Sequence, residues 1–185
     1  MDEIPEILSS RTAFAGAIFR IRIDDVRYRD GKTQRVDVVE HRGSYAIVAT
    51  THDDRIVLVR QYRHPVRAML WEIPAGMAEE NETASDGALR ELCEETGFRA
   101  ASLRALGSIV MTPGFCDESL AFFHATELSP GEQHLDADER IAVASFTLEE
   151  AQHFMRSGQI ADAKTIIALL WMQGSRGEIV KHNSR

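Results

Sequence analysis

Cysteine is scarce in this sequence. Cys93 and Cys116 are the two in 185 residues; they show no metal-ligand spacing and nothing before them reads as a secretory signal. A disulfide framework and a zinc ribbon are therefore set aside, and a reducing, cytoplasmic setting is expected. The seven histidines are scattered without a zinc pattern. No apolar run approaches the roughly 20 residues that a membrane helix needs. A basic stripe is missing too: with a net charge of -8 there is no surface to displace counterions from a polyanion, which argues against nucleic acid as a general partner. Internal repeats, low-complexity segments and a long linker in the first half are absent. What remains is a chain of ordinary globular composition, long enough for one domain with a real core and an N-terminal extension. An anionic substrate would need a bound metal and a few local arginines to offset the negative charge.

The densest chemistry lies between Gly76 and Phe98, GMAEENETASDGALRELCEETGF. No proline interrupts Ala84 to Thr96, Thr83 with Asp86 resembles a capping box, and Gly97 suits a left-handed cap, so a helix is expected there. Ala84, Ala88 and Leu92 fall on one stripe, with Leu89 beside it, and are expected to pack inward. Glu91, Glu94 and Glu95 stand three or four apart on the other side, facing the loop that begins Ala75-Gly76. Carboxylates so crowded raise one another's pKa unless a cation neutralises them. Hard oxygen ligands at this density suit magnesium or manganese. Arg90 can pair with Glu94 across the i,i+4 gap and orient it. The plain alternative is a solvated acidic helix face.

Spacing decides between these readings. Gly76, five residues, Glu82, seven residues, then Arg90-Glu91-Leu92-Cys93-Glu94-Glu95-Thr96-Gly97 resembles the Nudix box at every fixed position. A solvated face does not call for Gly76, Glu82, Arg90 and Gly97 at those intervals. Gln61-Tyr62-Arg63, Trp71-Glu72-Ile73-Pro74-Ala75-Gly76, and Pro113 sixteen residues after Gly97 are similar to motifs of the ADP-ribose pyrophosphatase branch. The resemblance implies hydrolysis of ADP-ribose to AMP and ribose 5-phosphate, with about two or three divalent ions, magnesium or alternatively manganese, serving the diphosphate. It also implies metal ligation by Glu91 and Glu95, with Glu94 assisting and the Ala75 carbonyl contributing, while Glu82 and Arg90 brace the site.

In that branch the general base is often a glutamate on a loop after the box, and Glu139 occupies the matching place, although neighbouring Asp136 and Asp138 leave the register open. A merely solubilising acidic loop is the alternative. Arg35 and Arg63 match arginines that touch the diphosphate or terminal ribose, yet each also reads as a surface ion-pair partner. Glu118, five residues after Pro113, could accept hydrogen bonds from ribose hydroxyls or assist metal binding, with a solvated turn residue as the alternative. Gly114 and Phe115 would shape the pocket wall. Phe19 sits where an aromatic could stack on adenine, although strand alternation favours core packing for it, and Trp71 and Trp171 are assigned to the core. Other nucleoside diphosphate sugars or dinucleotides as substrates, and a non-catalytic ADP-ribose sensor, are the rival readings.

Elsewhere the chain alternates strand and turn. Strands are expected around Arg11–Tyr28, Arg35–His41, Tyr45–Ala49, Ile56–Tyr62, Leu103–Val110, Leu120–Ala125 and Ile141–Thr147, and helices over Leu148–Ser157 and Asp162–Gln173. Met1 to Ser10 is acidic and carries no pattern. The expected class is α+β, a Nudix-type α/β/α sandwich with a mixed sheet and an N-terminal antiparallel β extension. The expected organisation is residues 1–42 as that extension, 43–175 as the Nudix domain and 176–185 as a polar tail. In relatives the extension joins two subunits, so a homodimer is the implied assembly.

Overall fold

The computed structural model describes residues 4–135 and 140–174. It divides the chain into two compact units, Met1–Gly43 with Ile109–Leu120, and Ser44–Ser108 with Ala121–Arg185. The first is built on a three-stranded sheet in the order β1 (Glu6–Ala15), β2 (Phe19–Arg27), β3 (Thr33–His41), both pairings antiparallel. β1 begins at Glu6, inside the first ten residues, whose sequence carries no pattern. All ten of its residues are exposed, and its register slips twice, between Ile7 and Ser9 and between Thr12 and Phe14. Each slip moves the following side chains to the other face, which is why EILSSRTAFA shows no alternation.

The alternation in β2 also misleads. Its deeply buried positions are Asp24 and Val26, while Ile21 and Ile23 are half-buried and Phe19 is exposed. Asp24 is accommodated by the Ser10 hydroxyl, which donates at 2.6 Å, and by Arg22 at 3.1 Å. Phe19 does not enter a core: it rests on the ring of Phe14 at 5.9 Å, and both are exposed.

The second unit holds the main core. β4 (Ser44–Ala49) and β5 (Ile56–Arg63) are continuous apolar runs that bury Ala46–Ala49 and Ile56–Val59 almost completely, the pattern of strands covered on both faces. Two short strands, β6 (Ala68–Glu72) and β7 (Ala75–Met77), were hidden inside the motif-rich stretch before the box. After helix α1 (Ala84–Thr96) come β8 (Phe98–Val110), β9 (Ser119–Pro130), β10 (Ala142–Phe146), α2 (Leu148–Arg156) and α3 (Ala163–Gly174). The strands form a sheet in the order β7-β4-β9-β8 and a second in the order β10-β5-β6. α1 packs on β4, β5 and β7, and α2 packs on β10 and α3.

Ala88 and Leu92 of α1 pack with Tyr45, Ile47, Val57 and Phe123 in one apolar cluster. Ala84, expected on the same stripe, is exposed in the first turn, where the helix has not yet reached the sheet. Trp71 and Trp171 are half-buried rather than deep: Trp71 meets Phe146 at 4.9 Å and Trp171 meets Phe122 at 4.8 Å. No helix among the described residues is long and apolar enough to cross a membrane.

Candidate active site

Helix α1 is fixed at both ends by the residues expected to do so. The Thr83 hydroxyl accepts from the Asp86 amide at 3.2 Å and donates to the Asp86 carboxylate at 2.7 Å. Gly97 has φ +70° and its amide donates to the Cys93 carbonyl at 2.8 Å, a left-handed cap that glycine adopts without penalty. Between these stops the helical period puts Glu91 and Glu95 one turn apart on the inward side. They are 8% and 4% exposed, so the acidic face is not a solvated one.

Two missing side chains make this possible. A Cβ at Gly76 would collide with the Glu91 carboxylate, and one at Gly87 would collide with the Tyr45 ring and approach Glu82. Gly76 and Gly87 therefore let the carboxylates lie directly against backbone and helix. Glu95 accepts from the Ala75 amide at 2.9 Å, which brings the Ala75 peptide to the same carboxylate.

Arg90 ties the cluster together. Its guanidinium donates to Glu82 twice at 3.1 Å, to Glu91 and Glu94 at 2.8 Å each, and to the Met77 carbonyl at 3.2 Å, with Glu79 at 3.9 Å. The Glu82 hydrogen bonds, followed by the neighbouring carboxylates, hold Arg90 in its charged form more firmly than usual despite partial burial. The same contact lowers the Glu82 pKa, and burial, with the Glu82 charge, raises that of Tyr45. The neutralising cation demanded by the crowded carboxylates is thus partly supplied from within the helix. Among the described residues no three acidic, histidine or cysteine side chains already form a metal-holding group; Glu82, Glu91 and Glu94 are arranged around Arg90. Their chemistry nonetheless suits a hard divalent ion: buried carboxylates, a backbone peptide beside Glu95, and four carboxylates against one guanidinium.

Arg63, at the end of β5, is held in a planar two-point contact by Glu72: Nε to Oε1 at 2.8 Å and Nη2 to Oε2 at 2.7 Å. Glu72 is 1% exposed and is also bound by Lys164, which donates at 3.0 Å to Asp162. Burial pushes the Glu72 pKa up, but the Arg63 hydrogen bonds and the Lys164 charge outweigh it and leave it below the ordinary value. Glu72 is a lone acid within the apolar run AMLWEIPA, a recognisable signal for a paired buried charge. Lys164, Asp162, Tyr45 and Gly87 gave no such signal.

The remaining candidates belong to the first unit. Arg35 is 64% exposed along its side chain and donates to Asp25 at 3.3 Å. Glu118 lies 3.8 Å from His41, Phe115 is exposed with its carbonyl accepting from Val39 at 2.7 Å, and Gly114 has open space where a Cβ would be. The structure thus gathers Gly76, Glu82, Arg90, Glu91 and Glu94 in one cluster, with Glu95 on Ala75. Glu139, with Asp136 and Asp138, lies outside the described residues.

With this geometry in place the comparisons are decisive for the family. The NUDIX domain model matches residues 40–169. The chain belongs to the Nudix family. It is 37% identical over 168 residues to an ADP-ribose pyrophosphatase of Bacillus subtilis, covering 90% of this chain and 91% of that one. Identity is also 37% over 177 residues to a methanol dehydrogenase activator of Bacillus methanolicus, covering 95% of each. An ADP-ribose pyrophosphatase of Mycobacterium tuberculosis is 37% identical over 170 residues, 89% of this chain and 81% of that one. The crystal structure of an ADP compounds hydrolase superposes with a TM-score of 0.80 at 22% identity, over 92% of both chains, which bears out the α+β sandwich fold. Nudix hydrolases depend on divalent metal.

Proposed function

We propose that this Nudix hydrolase cleaves the diphosphate of ADP-ribose, adding water to give AMP and ribose 5-phosphate. The observation that carries the reading is the pair of buried carboxylates, Glu91 and Glu95, packed against Gly76 and the Ala75 amide, in a chain whose full-length relatives include ADP-ribose pyrophosphatases. Glu91, Glu94, Glu95 and the Ala75 carbonyl would hold the metal, read as magnesium with manganese as the alternative, and about two or three ions in number. When bound, the metal would neutralise diphosphate oxygens and acidify a water. Arg90 fixes the rotamers of Glu82, Glu91 and Glu94, so these side chains lose little freedom when they bind. Glu139 is assigned as the base that takes the proton of the attacking water, and Arg35, Arg63, Glu118, Gly114, Phe115 and Phe19 as contacts for the nucleotide and ribose.

Residues 1–42 serve as the dimerisation extension of a homodimer, and 43–175 as the catalytic domain, in a cytoplasmic protein. The exposed apolar side chains of Ile7, Leu8, Phe14, Ile18 and Phe19 in the first unit support a second copy as partner.

The test is turnover of purified protein with magnesium on ADP-ribose, ADP-glucose, GDP-mannose, NADH and diadenosine polyphosphates under identical conditions. Preference for ADP-ribose with the two expected products supports the reading. Faster turnover of another substrate moves the specificity, and tight ADP-ribose binding without turnover makes the chain a sensor.

A further inference from the structure

The catalytic cluster leaves one set of buried charges unexplained, the chain of contacts Arg63–Glu72–Lys164–Asp162. It ties together elements distant in sequence. Arg63 ends β5 and Glu72 ends β6, whose Ala68 is the register partner of Arg63. Lys164 lies in the first turn of α3, and Asp162 caps that helix by accepting from the Thr165 amide at 3.0 Å. The Thr165 hydroxyl in turn accepts from the Ile73 amide at 2.9 Å. The segment between Glu72 and Ala75 is therefore pinned to α3 through both a side chain and the backbone. Ala75 is the residue whose amide holds Glu95.

A salt bridge that only stabilised the fold would gain little from burying an acid this deeply, since an apolar replacement often serves as well. The arrangement has a different consequence for Arg63. Two of its nitrogens are committed to Glu72, so the guanidinium plane is fixed. Its Nη1 has no hydrogen-bond partner among the described residues, and the side chain is 40% exposed. Its charge also interacts with that of Glu95. A preorganised, half-open guanidinium near the metal carboxylates is suited to an oxyanion, which it meets without losing further rotamer freedom.

Resting on the reading that the chain hydrolyses a nucleoside diphosphate sugar, we propose that Glu72 and Lys164 are positioning residues for substrate binding. They hold Arg63 so that its free edge binds the diphosphate of the substrate. Glu72 touches neither metal nor substrate and acts through Arg63 alone, which separates its role from that of the α1 carboxylates.

The test is a double-mutant cycle of Glu72→Gln and Arg63→Gln, read as KM and kcat for ADP-ribose with magnesium, with thermal midpoints recorded alongside. Glu72→Gln should raise KM roughly tenfold, the size of one charge-assisted hydrogen bond lost, with kcat within about threefold, the mark of lost binding rather than lost chemistry. In the Arg63→Gln background the same change should move KM no further, because the two residues act as one unit. An unchanged KM in Glu72→Gln, or a rise that recurs in full in the Arg63→Gln background, overturns the assignment. If Glu72→Gln does not fold, Lys164→Gln takes its place in the cycle, with the same KM-only effect expected and the same failures counting against it. A wild-type protein that hydrolyses no nucleoside diphosphate sugar overturns the reading underneath, whereas an active wild type with additive variants overturns this assignment alone.

Discussion

Two charged clusters in the second unit use the same side-chain chemistry with opposite balances. Around Arg90 one guanidinium faces four carboxylates, Glu79, Glu82, Glu91 and Glu94. Around Glu72 two cations, Arg63 and Lys164, meet two carboxylates, Glu72 and Asp162. The second is matched in charge and holds its members in place, although the Oδ1 atom of Asp162 is buried without a partner among the described residues. The first retains excess negative charge that additional cations would relieve. An unbalanced cluster is a binding site in waiting, and a balanced one is a brace.

Perturbing the brace should show in stability first. Glu72→Ala strands Arg63 and Lys164 and should cost about 3–5 kcal/mol, as broken buried pairs do, measured by urea unfolding; a loss below about 1 kcal/mol would mean the pair is not a brace. Beside the unbalanced cluster, at the carboxylate that accepts from the Ala75 amide, Glu95→Gln should lower kcat by more than about 100-fold, beyond what the loss of an outer partner costs. It removes no core volume, so the thermal midpoint should stay close to wild type; activity near the wild-type level would remove Glu95 from the metal site. Gly76→Ala places a methyl where the Glu91 carboxylate lies, and should cost about tenfold in kcat/KM through displacement of that ligand. An unaffected rate would show that Glu91 has room to move.

The pH response separates the clusters further. Because Arg63 and Lys164 lower the Glu72 pKa against its burial, its stabilising contribution is complete above the unfolded carboxylate value of about 4.3 and is lost as pH falls through the lower folded value. Wild-type stability should therefore fall more steeply than that of Glu72→Gln below about pH 4.3; parallel curves would contradict this. The smallest effect belongs to exposed Arg35: Arg35→Ala should shift stability by no more than about 0.5 kcal/mol, so any rise in KM would report substrate contact directly.

The box was legible because its spacing is rigid. A 13-residue helix with a threonine cap and a glycine stop fixes where Glu91, Glu94 and Glu95 point, and the two glycine contacts follow from close packing. β4 and β5 were legible as continuous apolar runs. Local pattern failed where tertiary context intervened: two register slips erased the period of β1, a buried Asp24 displaced the isoleucine face of β2, and β6 and β7 are too short to show a period. Lys164 and Asp162 were illegible for a different reason. Lys164 meets Glu72 across 92 residues of sequence, Asp162 joins them through Lys164, and no local spacing reports a long-range ion pair.

The most direct test of the central claim, that the anion-rich cluster on α1 takes divalent metal, is manganese binding followed by electron paramagnetic resonance on the wild type and on Glu95→Gln. The account predicts that the wild type binds manganese, that magnesium competes it away, and that Glu95→Gln binds far more weakly with its fold intact. Equal binding by the two proteins, or none by the wild type, would contradict it.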